Sequence, residues 1–247
     1  MILVLLLLAI TPGLAFVIYI YLKDKYNREP FSKLLICFVL GVMCCLPAMF
    51  LESVGQGIMH ALGYPVMAWI NGGREVDILS AEAHSLAVFA WLVVGLSEEL
   101  CKYLVLRYYA YKLTYFDEPL DGIVYAMMVG MGFATFENIF YVLQNGVLTG
   151  VVRGLLAVPA HATFAVMMGY FVGRAKFNPG HEKTELLKGL VLAILFHGAY
   201  DFSLFVNRSF SVIGAAVSVT IAIVLSSKAI KAHRRLSEDM HRNAPKP

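Results

Sequence analysis

The 247-residue sequence is short of charge. Asp, Glu, Lys and Arg make up 15% of it, against about 25% in an average globular chain, while 59% of the residues are hydrophobic. The deficit excludes a soluble enzyme, a disordered scaffold and a nucleic-acid binder with a dense basic face. A mean hydropathy of +0.71 points the same way. The formal net charge of +3 is too small to imply a polyanionic partner. Cysteine is scarce as well. Cys37, Cys44, Cys45 and Cys101 all fall in apolar stretches and form no CxxC pair. That excludes a disulfide framework and a structural zinc site, and leaves buried free thiols acting as small hydrophobes. Internal repeats, low-complexity tracts and an HExxH motif are also missing.

What is abundant is long apolar runs. A spanning helix needs about 20 mainly apolar residues, and seven segments qualify, at approximately 1–22, 34–54, 85–106, 122–144, 150–173, 187–206 and 210–230. The expected fold class is therefore all-α, a polytopic membrane protein of about seven transmembrane helices. The first run lacks a basic flank and a small-residue cleavage site, so it reads as a helix rather than a signal peptide, kinked at Thr11-Pro12-Gly13. Sixteen of the 20 Lys and Arg cluster at 23–33, 107–112, 174–188 and 228–246, whereas the opposite side has Arg74, Arg153 and Arg208. By the positive-inside rule the N-terminus lies outside and the C-terminus in the cytosol. The reading is one integral-membrane domain over 1–230, with an extracytoplasmic connection at 55–84 that reads as a linker in preference to a re-entrant or surface helix. A basic, mobile cytosolic tail follows at 231–247. Gly169-x-x-x-Gly173 predicts a close helix–helix approach.

A few ionisable residues lie inside these runs, where each costs about 2.5–3.5 kcal/mol on insertion scales and is by default functional. The third run holds Ser97-Glu98-Glu99-Leu100-Cys101-Lys102, the fourth Phe133 to Glu137-Asn138, the fifth His161 and the sixth His197-Gly198-Ala199-Tyr200-Asp201. Glu98 and Lys102 share a helical face, while Glu99 points about 100° away. One carboxylate is thus expected to be neutralised by the lysine while the other turns to a different partner. The i,i+4 spacing of His197 and Asp201 lets the aspartate orient the imidazole. Taken singly, Glu98–Lys102 reads equally as a structural ion pair, His161 as a packing histidine and Tyr200-Asp201 as a polar helix end. Four adjacent runs with one such feature each argue for a shared site. At about 1.5 Å per residue, Glu137, His161 and His197 lie roughly 10–17 Å from the outer ends of their runs. Glu98 lies deeper, at about 20 Å, a gap that tilt or a break near Gly95 would narrow.

Glu98-Glu99-x-x-Lys102, Phe133-x-x-x-Glu137 and His197-x-x-x-Asp201, in this order, resemble the three motifs of the PrsW family of intramembrane proteases. Tyr21-Leu22-Lys23-Asp24, Phe116-Asp117-Glu118, Asp121-Gly122-Ile123-Val124-Tyr125, Gly132-Phe133-Ala134-Thr135 and the stretch 161–176 extend the likeness over about residues 11–206. The resemblance implies a multi-pass protease of the bacterial plasma membrane. It would make a first, site-1-type, outer-side cut in a single-pass membrane protein of the anti-sigma factor class and so activate transcriptional signalling. More distantly the chain is similar to the CAAX-prenyl-protease and bacteriocin-processing superfamily, in which the first motif supplies a glutamate that activates water. It departs from that pattern where Glu137 stands in place of an expected histidine.

The expected catalytic residues are Glu98 or Glu99 as general base, with His161 and His197 positioning the water or donating to the oxyanion. Lys102, Phe133, Glu137, Asn138 and Asp201 support them, Asp201 by holding His197. His161, His197 and Glu137 suit a catalytic zinc with an open position; without HExxH, a metal-free glutamate mechanism stands beside it. Ser97 has no triad setting and is not a nucleophile. Two other classes fit buried ionisable residues. A proton-coupled transporter using a Glu/His/Asp relay would bring inverted repeats that the sequence lacks, and a binding module would carry no chemistry.

Overall fold

A computed structural model describes residues 1–72, 75–206 and 208–243. Arg74, one of the three expected outer cations, lies outside them, as does the end of the tail from residue 244. Among the described residues there is no strand. The helices are α1 (Ile2–Lys23), α2 (Phe31–Ala61), α3 (Val66–Gly72), α4 (Ala81–Val88), α5 (Leu96–Tyr108), α6 (Pro119–Asn145), α7 (Val147–Leu155), α8 (Ala157–Phe177), α9 (Glu182–Val206) and α10 (Arg208–Asn243).

Six helical stretches are long and apolar enough to cross a membrane: 2–23, 31–61, 119–145, 147–177, 179–206 and 211–242. The expected seventh, 85–106, is helical from Ala81 to Tyr108 but splits into α4, a π-helical stretch at Phe89–Gly95, and α5. At about 1.5 Å per residue, those 28 residues reach about 40 Å, more than the ~30 Å hydrocarbon core. It drops out because the π stretch divides it: α4 has 8 residues, the π segment 7 and α5 13, each too short to cross alone.

Helix α6 is the axis of the bundle. It opens with a capping box: Glu118 accepts from the Asp121 N–H, and Asp121 Oδ2 accepts from the Glu118 N–H at 2.8 Å, with Pro119 at the first helical position. From Pro119 to Thr135 every α6 residue is buried, because α2 and α1 pack on one side and α8 on another. Small residues allow this. A Cβ at Gly169 would collide with the Gly122 carbonyl and the Ile123 backbone, so α8 touches α6 backbone to backbone. The predicted Gly169/Gly173 approach is real. On the other side Gly132 lies against the Phe38 carbonyl of α2.

The 55–84 connection is largely built. Helix α2 continues to Ala61, and α3 follows. Met59, Val66, Val76, Leu86, Phe89 and Val206 then form a small apolar cluster of their own. The tail differs from expectation more sharply. Helix α10 runs unbroken to Asn243 and packs on the core, with His233 and Ser237 fully buried. His233 stacks on Tyr170 at 4.3 Å, and His241 lies 3.0 Å from Glu118 and stacks on Tyr26. Basic composition suggested a mobile segment, but buried histidines at this spacing give the helix an inner face.

The four cysteines are free and buried, as expected. Cys44 and Cys45 donate weakly to the carbonyls of Cys101 and Phe133.

Candidate active site

The π stretch sets the position of the first motif. A widened i→i+5 turn inserts a residue, so α5 enters in a different rotation from the one an uninterrupted α-helix would give. Trp91 anchors the insertion: its indole N–H donates to the Leu195 carbonyl of α9 at 3.1 Å, and its ring covers Gly198, where any Cβ would clash. The break anticipated near Gly95 thus docks α5 beside His197.

The structure gathers Glu98, Glu99, His161 and His197, with one ligand-capable atom from each lying within 4.8 Å of the others. All four are buried, Glu99 to 1% exposure and His197 to 2%. Lys102 does not choose between the carboxylates as the helical spacing suggested. Its ammonium donates to Glu98 at 3.0 Å and to Glu99 at 2.9 Å, and stands 3.3 Å from His161 Nδ1. Phe133 closes the far side, its ring centroid 3.8 Å from Nζ.

The tautomers follow from this packing. Lysine has no acceptor, so His161 Nδ1 accepts from Lys102 and Nε2 carries the proton that Glu137 receives at 2.9 Å. Both nitrogens of His161 are therefore engaged. His197 donates from Nδ1 to Glu99 at 2.8 Å. Its Nε2 lies 3.8 Å from Glu98 and 3.3 Å from Asp201 Oδ2. The Asp201 contact has ion-pair distance but not hydrogen-bond alignment, since that oxygen has no hydrogen-bond partner. Glu99, more than Asp201, orients His197.

Arg153 is a participant that the sequence reading placed only as an outer cation. From α7 it pairs with Glu137 at 2.9 Å, donates from Nε to Asn138 Oδ1 at 3.1 Å and covers the Tyr141 ring. Asn138 in turn donates to the Ala9 carbonyl of α1 at 2.9 Å, so it braces Arg153 rather than lining the cavity.

These groups head a cavity of about 500 Å³ whose walls include Glu52, Glu98, Glu137, Arg153, His161 and Asp201. Glu52, on α2, is the other residue that sequence reasoning missed. The signal was a lone carboxylate close to the C-terminal end of an apolar run, where it passed for the end of the span. Five carboxylates, Glu52, Glu98, Glu99, Glu137 and Asp201, face two permanent cations, Lys102 and Arg153. That surplus of negative charge, with two imidazoles among it, is the chemistry of a divalent-cation site. Glu98 Oε2 lies 4.0 Å from His161 Nδ1 and 3.8 Å from His197 Nε2. Donors around a tetrahedral zinc stand about 3.4 Å apart, so the spacing from Glu98 to each imidazole is close to that of a ligand pair, and all the donor atoms lie within 4.8 Å of one another. Glu137, expected as a ligand, stands instead behind His161.

The fold and this site define a membrane-embedded hydrolase: a multi-pass helical protein with acid and imidazole groups in a buried cavity. The profile of a family described as PrsW family intramembrane metalloprotease matches residues 29–227. The chain is 39% identical over 197 residues to Protease PrsW of Geobacillus kaustophilus, covering 79% of this chain and 77% of the relative. To Protease PrsW of Bacillus subtilis it is 38% identical over 196 residues, covering 79% and 80%. To that of Oceanobacillus iheyensis it is 34% identical over 215 residues, covering 87% and 89%. No solved structure matches. The chain belongs to the PrsW family and is an intramembrane protease, a multi-pass protein of a bacterial membrane that acts on membrane proteins.

Proposed function

We propose that the protein is an endopeptidase that makes a site-1-type cut on the outer side of a single-pass membrane protein of the anti-sigma factor class. The N-terminus would lie outside and the C-terminus in the cytosol. The observation that carries this reading is the convergence of Glu98, His161 and His197 at the head of a cavity on the cation-poor end of the bundle. That end holds the 55–84 connection and the outer halves of α2, α6 and α9, whereas most Lys and Arg lie at the other.

Glu98 is the better base of the two glutamates. It lines the cavity, whereas Glu99 is committed to Lys102 and His197. Glu98 takes the proton of the attacking water and passes it to the leaving amine. Lys102 keeps both acids in place, Glu99 fixes His197, and Glu137 fixes the tautomer of His161. Arg153 keeps guanidinium N–H groups beyond those given to Glu137 and Asn138, which suit a developing oxyanion. His161 and His197 would hold a metal beside Glu98, His161 by giving up its Lys102 contact at Nδ1 to the ion. When bound, it supplies Lewis acidity and a more acidic water.

The test is cleavage of a single-pass substrate by purified protein in vesicles. Glu98→Gln is expected to abolish cutting while leaving the fold intact. Glu99→Gln reduces cutting by disordering His197. Exhaustive chelation, with elemental analysis before and after, reads the metal. Full cleavage by Glu98→Gln sinks the assignment of the base, and ion flux without cleavage in the parent sinks the protease reading in favour of a carrier.

A further inference from the structure

Four of the five carboxylates at the cavity have partners within the chain. Glu98 and Glu99 have Lys102, Glu137 has Arg153 and His161, and Asp201 has His197 at ion-pair distance. Glu52 has none: among the described residues no hydrogen bond or ion pair reaches it. It is the one acidic residue in the 31 residues of α2, and its side chain is part of the cavity wall together with Met49, Ser53 and Gln56. A carboxylate at membrane depth is expensive unless something compensates it. The proposed reaction does not use it, and it stands on α2, a different helix from those that carry the base and the histidines.

We propose that Glu52 is a specificity-determining residue, the binding group for a basic side chain, Lys or Arg, on the substrate segment next to the scissile bond. The inference rests on the protease reading and names the substrate chemistry at that site. The cavity favours such a residue twice. Its acids outnumber its fixed cations, so a cationic side chain entering it gains from the whole field, and Glu52 is the acid left free to form the direct pair. The wall is mixed: Met49, Met67 and Ile70 offer apolar cover for a methylene stem, and Ser53, Gln56 and Asn71 offer polar groups. The pair forms only when substrate is bound. Glu52 therefore acts on which sequence is cut, not on the hydrolytic step itself.

The experiment compares matched single-pass peptides in vesicles, each carrying Lys, Gln or Glu at successive positions around the cut. With the parent protein, kcat/KM is expected to be about tenfold higher for Lys than for Gln at one or two adjacent positions, and lower still for Glu. Glu52→Gln should retain cleavage of the Gln peptide and lose the preference for Lys. Glu52→Lys should reverse the order in favour of the Glu peptide. An unchanged Lys preference in Glu52→Gln overturns the proposal, because recognition then lies elsewhere. So does equal loss on all three peptides in a variant that still melts like the parent, because the residue then serves the chemistry. Failure of the parent protein to cut any peptide would count against the protease reading itself, a separate outcome.

Discussion

Replacing Lys102 with Met is the most informative perturbation of this site. The ammonium makes all its close polar contacts inside the bundle, at 2.9–3.3 Å to Glu99, Glu98 and His161, and is 4% exposed. Met keeps most of the volume and none of the charge. Two carboxylates, 5% and 1% exposed, would then face each other without a cation. Removing one partner of a buried ion pair costs about 3–5 kcal/mol, and here the removed group serves two acids, so the upper part of that range is expected. For a chain of this size each kcal/mol corresponds to roughly 2–4 °C in melting temperature. Thermal unfolding in nanodiscs should therefore show a fall of about 10 °C or more. The triple variant Lys102→Met, Glu98→Gln, Glu99→Gln removes the uncompensated charges together. It should regain most of the stability while remaining inactive, since replacing a whole buried ionic group by neutral residues is often close to neutral. If Lys102→Met melts within 1 °C of the parent, or the triple variant is no more stable than the single one, the lysine is not what holds the two glutamates.

Two further perturbations address the scaffold. Gly169→Leu would force α8 away from the Gly122 carbonyl and the Ile123 backbone of α6; overpacking of this kind costs about 1–3 kcal/mol or more, and the melt of Gly169→Ala should fall between those of Leu and the parent. At the end of the bundle rich in Lys and Arg, burial pushes the Glu29 carboxyl from its ordinary 4.5 up to about 7, and the Tyr125 hydroxyl donates to it. The folded state then holds a proton that the unfolded state releases near pH 4.5. The stability contributed is complete below that pH and is lost as pH rises to about 7. Melts between pH 4.5 and 7.5 should show this decline in the parent and a flatter profile in Glu29→Gln; identical slopes would remove Glu29 as its source.

Much of the architecture was legible from the sequence because membrane helices announce themselves by composition, and because costly residues stand out where charge is scarce. Glu98, Glu99, His161 and His197 could be assembled on paper, although they come from three separate helices. The i,i+4 rule located Lys102 near Glu98 but not its bridging of both acids, since a flexible four-carbon stem reaches i−3 and i−4 alike. The π stretch at Phe89–Gly95 left no mark in an apolar run whose side chains look the same in either helix type. Arg153 was read as a topological cation because position relative to a span end says nothing about the carboxylate opposite it. The packing of α10 was hidden for a related reason. His233 and Ser237 are polar in composition yet fully buried, and only the neighbouring helices reveal that.

The π stretch has a consequence for how such a site can change over time. Its geometry depends on the number of residues between Val88 and Leu96 more than on which they are. Losing one of them would return the run to ordinary α-helix and swing Glu98, Glu99 and Lys102 together by about 100°, out of reach of both histidines. Substitutions in this stretch are mild events, and a single-codon deletion is not. A gap in this stretch between two related chains would therefore mark a lost or rebuilt active site more reliably than a drop in identity.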